Sequence, residues 1–253
     1  MKNRMEQAKQ FRNLHERGNP LVLFNIWDPG SASAVAQTGV KAIATGSWSV
    51  AAAHGFEDGE KMPWPLALVN LERIVSSVEL PVTVDLESGY GDIAGTVRQA
   101  VTAGAIGFNF EDGRIGQDGL YSIDEQSARI RAARKAADEC LHGVFINART
   151  DIFLHADPST HSDRMVEDAL ARAAAYAKAG ADGFFVPGLI DSEKIARVCK
   201  EVSLPVNIMA SPGRGELKEL ANLGVARISY GPHPYLLAMQ ALRQAAKEEA
   251  VSG

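Results

Sequence analysis

Short runs that are apolar almost continuously, rather than at every second position, recur at Leu21–Ile26, Ala42–Ser47, Val82–Glu87 and Ile106–Glu111. Four more follow at Val144–Arg149, Gly183–Val186, Val206–Ala210 and Arg227–Tyr230. A strand with one wet face alternates, so runs of this kind mark strands buried on both faces. Between them lie stretches with apolar residues at helical spacing, such as Ser127–Ala137 and Met165–Ala179. Strand and helix alternating in this way predict a parallel sheet covered by helices. The expectation is one (β/α)8 TIM barrel domain over residues 1–253. An open doubly wound sheet is the alternative, because periodicity does not report closure.

The punctuation fits that pattern. A glycine that can end a helix stands directly before the second, fourth, sixth and eighth candidate strands, at Gly39, Gly104, Gly180 and Gly224. The third and seventh are introduced by Leu80-Pro81-Val82 and Leu204-Pro205-Val206, where proline presets an extended start. The connection between the second and third strands, from Gly46-Ser47-Trp48 through Pro63-Trp64-Pro65, is too long for an ordinary βα turn and is expected to be an active-site loop.

Composition narrows the class. With 46% apolar and 23% charged residues, the 253-residue chain has the balance of a soluble globular protein with a sizeable core. Its 26 Lys and Arg against 31 Asp and Glu give a net charge of −5, which repels nucleic acid. The N-terminal residues are polar and no stretch reaches the ~18 apolar residues of a membrane helix, so the expectation is a cytoplasmic protein without membrane partners. Cys140 and Cys199 lack CxxC spacing and are read as structural thiols.

Barrel enzymes carry their sites at the carboxyl ends of the strands. Here those ends deliver Asn25 and Asp28, Ser47, Asp85 and Glu87, Glu111 and Asp112, Arg149 and Asp151, and Asn207. Asp85 and Glu87 stand two apart, so the strand pleat points both to one face, where Glu111 of the next strand can join them. Three carboxylates in a low-dielectric mouth call for a hard divalent cation, and few carboxylates plus waters suit Mg2+, with Mn2+ as the other candidate. The alternative is that these acids pair with arginines or cap helices. Arg149 is read as the one cation that a strand end delivers near these acids, with a fork suited to an anionic substrate or, alternatively, to a salt bridge with Asp151 or Glu111. Gly46-Ser47-Trp48 offers backbone N–H groups to an oxyanion, or is a simple turn. The six histidines show no spacing that makes a site.

Three ordered motifs then carry a resemblance: Val84-Asp85-Leu86-Glu87-Ser88-Gly89-Tyr90-Gly91, Asn109-Phe110-Glu111-Asp112-Gly113 and Asn147-Ala148-Arg149-Thr150-Asp151. With Asn25-Ile26-Trp27-Asp28, Ala44-Thr45-Gly46-Ser47 and Pro205-Val206-Asn207, the chain resembles the isocitrate lyase/phosphoenolpyruvate mutase superfamily along almost its whole length, and most of all the short bacterial phosphonomutase-like members. The resemblance implies a Mg2+-dependent barrel that makes or breaks a C–C or P–C bond beside a 2-oxo acid through an enolate of pyruvate. It implies Asp85 as principal metal ligand, Glu87 and Glu111 acting directly or through waters, and Arg149 holding the anionic substrate. It also implies Ser47 and Trp48 as a backbone cradle, Asp58 beside the reacting group, Asn207 on a carboxylate, and a homodimer or homotetramer. The family motif more often has Asp where this chain has Glu87, which favours contact through water there.

Departures from the family sharpen the expectation. The segment Gly113-Arg114-Ile115-Gly116-Gln117-Asp118-Gly119 lacks the Lys-Lys-Cys-Gly-His of isocitrate and methylisocitrate lyases and the Lys-x-Asn-Ser of a phosphoenolpyruvate mutase gate, while its glycines offer lid hinges. Pro187 stands where those lyases tend to carry Glu. The leading expectation is a lyase cleaving the C–C bond beside the 2-oxo group of a small oxaloacetate-like 2-oxo or 2-hydroxy acid. The others are phosphoenolpyruvate mutase or phosphonopyruvate hydrolase-like P–C chemistry, and a non-catalytic 2-oxo acid binding protein. The helix expected at Tyr235–Ala246 packs on its own barrel or on a partner's.

Overall fold

The computed structural model describes residues 2–210 and 217–251. Eight strands, β1 (Leu21–Leu23), β2 (Ile43–Ala44), β3 (Val82–Asp85), β4 (Gly107–Glu111), β5 (Phe145–Arg149), β6 (Gly183–Phe185), β7 (Val206–Met209) and β8 (Arg227–Ser229), form one parallel sheet. Their order is β1-β8-β7-β6-β5-β4-β3-β2. The two outer strands meet at the Ile26–Thr45 bridge, where Ile26 N–H donates to the Ala44 carbonyl at 2.8 Å and Gly46 N–H to the Ile26 carbonyl at 3.2 Å. The sheet therefore returns on itself as a (β/α)8 barrel. A doubly wound sheet would reverse its order midway, and this one does not.

The helices are α1 (Lys2–Asn13), α2 (Pro29–Ala36), α3 (Ser47–Ala53), α4 (Trp64–Ser76), α5 (Ile93–Ala103), α6 (Ile123–Cys140), α7 (Asp163–Ala179), α8 (Ser192–Glu201), α9 (Leu217–Asn222) and α10 (His233–Val251). Their starts are chemically fixed: Asp28 and Ser122 close capping boxes with Ser31 and Glu125, and the Asp92 and Asp191 side chains accept from Gly95 and Lys194 N–H. The four glycines before even-numbered strands have φ of 84°, 121°, 107° and 88°, a backbone that disfavours any side chain, so each ends its helical segment and turns the chain into the barrel. Cys140 and Cys199 are free thiols.

Every strand is shorter than its apolar run, and the first two are cut furthest, for a reason that builds the mouth of the barrel. After Leu23 the Asn25 side chain takes over the pairing: its oxygen accepts from Tyr230 and Gly231 N–H at 2.9 and 3.1 Å, and its amide donates to the Thr45 carbonyl at 2.9 Å. The second run stops at Ala44 because Gly46 caps α3, which begins at Ser47. The long connection is thus not one loop. It is α3, an irregular stretch over 54–63, and the start of α4.

The barrel interior is layered. At the amino-terminal end, α1 inserts Phe11, with His15 just beyond its last turn: His15 stacks on Phe145 with centroids 4.0 Å apart, and Gly107 leaves room for the Phe11 ring, which a Cβ there would approach to 3.1 Å. Burial, and then the Arg227 charge, push the His15 pKa down to about 3, so it stays neutral. The middle layer is polar where bulky aliphatics are usual. Asn109 Oδ1 accepts from Asn147 Nδ2 at 2.9 Å and from an Arg227 guanidinium N–H at 3.1 Å. Above that layer open the strand ends.

Candidate active site

The carboxyl ends of the strands surround a cavity of about 700 Å³, including its open mouth. Asp85, Ser47, Trp48, Asp58 and Arg149 all line it. Across the barrel, β6, β7 and the turn after β5 contribute Phe185, Pro187, Met209 and Leu154, an apolar wall. Among the described residues on the lining, Arg149 is the one cation.

Asp85 ends β3. One of its oxygens, Oδ2, accepts from the Ser47 hydroxyl at 3.0 Å and from Ser47 N–H at 3.4 Å. The other, Oδ1, is buried and has no hydrogen-bond partner. A buried carboxylate oxygen left without a donor is costly unless a cation meets it, so this atom marks where a divalent ion fits.

The three-carboxylate cluster expected at this point does not form. Of the three acids Asp85 alone is on the cavity lining, and among the described residues no three His, Cys, Asp or Glu side chains close on a common point. Glu87 lies beyond the end of β3 with φ 48°, and both of its oxygens are taken, by Glu60 N–H at 2.6 Å and by the Tyr90 hydroxyl at 2.7 Å. Glu111 is held by Arg149 at 2.7 Å.

Arg149 ends β5 and bonds Asp151 through Nε and NH2 at 2.5 and 3.0 Å, so it is both cavity wall and buried salt bridge. A guanidinium has five N–H donors, and these contacts leave two for a substrate anion. Burial works against the charge of Asp151, but the guanidinium prevails and holds its carboxyl below the usual range. Burial raises Glu111 well above that range, against the pull of Arg149 and reinforced by the Asp151, Asp85 and Glu87 charges. One cation thus faces two buried acids.

Arg149 is the cation that a strand end delivers beside these acids, and deeper in the barrel lies another: Arg227, which opens β8, is 1% exposed, its Nε and NH1 lack partners, and burial lowers its pKa to about 9, with Asp85 as the opposing charge. Asn207 is buried beneath the cavity surface, where it exchanges hydrogen bonds with Ser229 at 3.1 and 3.2 Å, and Ser229 is the member of that pair on the lining. Asp112 is turned outward to accept from Arg172 at 3.0 Å and the Tyr176 hydroxyl at 2.7 Å, a structural acid. The 113–119 segment is tied as a small antiparallel turn, with Arg114 paired to Glu125 at 2.9 Å. Gly113 packs 3.0 Å from Asp151 when given a Cβ, so close approach is its role there.

Removal of water around Glu87, 4% exposed, pushes its pKa up to about 7; the Tyr90 hydroxyl pulls it back and the Asp58 and Asp85 charges push it further up. A folded-state value above the unfolded one means that the native state holds the proton more tightly, so stability is full below about pH 4.5 and declines as pH rises to 7. Metal-free protein should therefore lose about 3 kcal/mol over that window from this group. Urea unfolding at pH 5 and pH 7 measures it, and equal midpoints would contradict the assignment.

A parallel barrel with a carboxylate and an arginine among the residues at the carboxyl ends of its strands has the layout of a barrel enzyme. Residues 11–250 match the family model for phosphoenolpyruvate phosphomutase, and the chain belongs to that family. A solved Burkholderia cenocepacia structure described as a candidate phosphonomutase is 52% identical, with a TM-score of 0.94 over 97% of this chain and 99% of that one. The uncharacterized protein Rv1998c of Mycobacterium tuberculosis is 35% identical, spanning 94% of this chain and 87% of its own length. An oxaloacetate decarboxylase of Paraburkholderia xenovorans is 28% identical, over 93% and 80%.

Proposed function

We propose that this protein is a divalent-metal-dependent lyase that cleaves the C3–C4 bond of a small oxaloacetate-like 2-oxo acid, the bond to the carbon next to the 2-oxo group, releasing C4 as a neutral fragment and leaving C1–C3 as the enolate of a pyruvate-type product. The observation that carries the reading is the contrast between the two sides of the cavity. Asp85 and Arg149 suit a 2-oxo carboxylate and an ion, while Phe185, Pro187, Met209 and Leu154 face the group that leaves. A carboxylate departing as CO2 loses its charge in the transition state, which an apolar wall favours. The oxaloacetate decarboxylase relative supports the same choice.

The ion, Mg2+ or Mn2+, would be held by Asp85 Oδ1, with Glu111 and Glu87 reaching it only through waters because Arg149, Glu60 and Tyr90 already engage them. When bound, it draws off the negative charge that appears on the 2-oxo oxygen. Arg149 orients the substrate carboxylate with its two remaining donors. Ser47 keeps Asp85 in place through its hydroxyl and N–H, and the backbone N–H of Trp48 at the start of α3 would serve the developing oxyanion. Asp58, on the rim, has its pKa raised by loss of water and by the Asp85 charge, which suits it to hold a proton for the carbon of the enolate. Asn207 acts through Ser229.

A second reading, phosphoenolpyruvate mutase or phosphonopyruvate hydrolase-like P–C chemistry, is favoured by the candidate phosphonomutase at 52% identity. A transferring phosphoryl group keeps its charge and needs cationic contacts, and the described lining offers Arg149 alone. Thermal-shift titration separates the two: with Mg2+ present, oxaloacetate should stabilise the protein and phosphonopyruvate should do so much less. The reverse order would install the second reading.

The working assembly proposed is a homodimer or homotetramer. On α10, Leu236, Leu237 and Leu242 are 43–63% exposed and residues 241–250 are all exposed, so its distal half does not pack on its own barrel. Leu237→Glu with Leu242→Glu should shift the mass in light scattering to the monomer. An unchanged mass would remove α10 from the interface.

A further inference from the structure

Outside glycine, the described chain has positive φ at Glu60 (58°), Glu87 (48°) and Tyr90 (53°). These residues come from two separate segments, and they are one another's partners. Glu60 N–H donates to Glu87 Oε2 at 2.6 Å, Tyr90 N–H donates to Glu60 Oε1 at 2.8 Å, and the Tyr90 hydroxyl donates to Glu87 Oε1 at 2.7 Å. Left-handed backbone at a residue with a side chain persists only where the surroundings hold it. Here the three bonds tie the two segments together, and the Glu87 and Tyr90 carbonyls are also held, by Glu111 N–H at 2.9 Å and Asp92 N–H at 3.0 Å.

The position of this ring gives it a task. Glu60 follows Asp58 by two residues in the irregular 54–63 stretch, and Asp58 lines the cavity. Glu87 and Tyr90 belong to the turn that leaves β3, just past Asp85. The far end of the stretch is fixed as well: Trp64 packs on the Tyr90 ring with centroids 5.2 Å apart, and its indole N–H donates to Gln99 at 2.6 Å. Reaching Glu60 and Tyr90 at once takes both oxygens of Glu87, and an aspartate is one methylene shorter.

We propose that Glu87 is a positioning residue. With Tyr90 it latches the 54–63 stretch onto the end of β3, so setting Asp58 against the substrate, and it contributes little to holding the ion. The reading of Asp58 rests on the function proposed above, while the latch itself is a property of the free protein.

Tyr90→Phe removes one bond of the ring and leaves every carboxylate in place. Glu87→Asp keeps the charge and shortens the reach. In metal-free protein, both should speed amide exchange over residues 54–62 by about tenfold or more, the loss expected for a buried bond to a carboxylate. In both, Mg2+ affinity measured by calorimetry should change by less than the roughly tenfold that follows loss of a metal-supporting carboxylate. Turnover should fall in kcat with KM little moved. Unchanged exchange in the two variants would overturn the latch, and so would a Mg2+ affinity weakened in step with kcat. If the wild type turns over no 2-oxo acid, the functional reading fails alone, because exchange and Mg2+ binding still decide the latch.

Discussion

Asp85→Asn should lower kcat/KM by about a thousandfold or more, the scale on which losing a centre of charge stabilisation acts. The substitution keeps the size of the side chain and the acceptor for Ser47 but removes the charge and the unpartnered Oδ1 that a cation would satisfy. Stabilisation by Mg2+ should vanish in the same variant, while stability without metal should change little: three nearby acids gain from the lost charge and Arg227 loses its opposing one. Steady-state kinetics and a Mg2+ melting series read both effects. Activity within about tenfold of wild type would mean that Asp85 does not hold the ion.

The second large effect is on folding. Arg149→Met should leave Glu111 and Asp151, 7% and 2% exposed, without their shared cation. Removing one partner of a buried pair costs about 3–5 kcal/mol, because the remaining charge stays buried. For a domain of this size that corresponds to a melting temperature lower by roughly 10 °C. Lowering the pH should recover part of the loss by neutralising the stranded acids, and Glu111→Gln in the Arg149→Met background should do the same at neutral pH. A loss below about 1 kcal/mol would show that the ion pairs contribute no more than exposed ones do.

Much of this architecture was legible because strands buried on both faces and glycine-ended helices leave strong local signals. All eight candidate runs contain a strand, and the Gly39, Gly104, Gly180 and Gly224 positions all carry the backbone expected of helix ends. What failed was local detail set by tertiary partners. Ser47 opens a helix rather than extending a strand, since Gly46 caps it where the barrel turns outward. Alternation along β3 placed Asp85 and Glu87 on one face, but the strand ends at Asp85 and the left-handed backbone at Glu87 redirects its side chain. The partners of Glu87 lie 27 residues back and 3 residues on, a pairing that no periodicity encodes. Arg227 and Asn109 sit inside apolar runs, and those two polar interruptions were the available sign of a polar middle layer.

The measurement that bears most directly on the central claim is product analysis by 13C and 31P NMR, with Mg2+, wild-type protein and the Asp85→Asn variant, on oxaloacetate and on phosphonopyruvate. Pyruvate and CO2 should form from oxaloacetate faster than in the Asp85→Asn and protein-free controls, with little phosphate from phosphonopyruvate. Rapid phosphate release from phosphonopyruvate with oxaloacetate at the control rate would contradict it in favour of P–C chemistry. No turnover of either, with both still bound, would make the protein a 2-oxo acid binding protein.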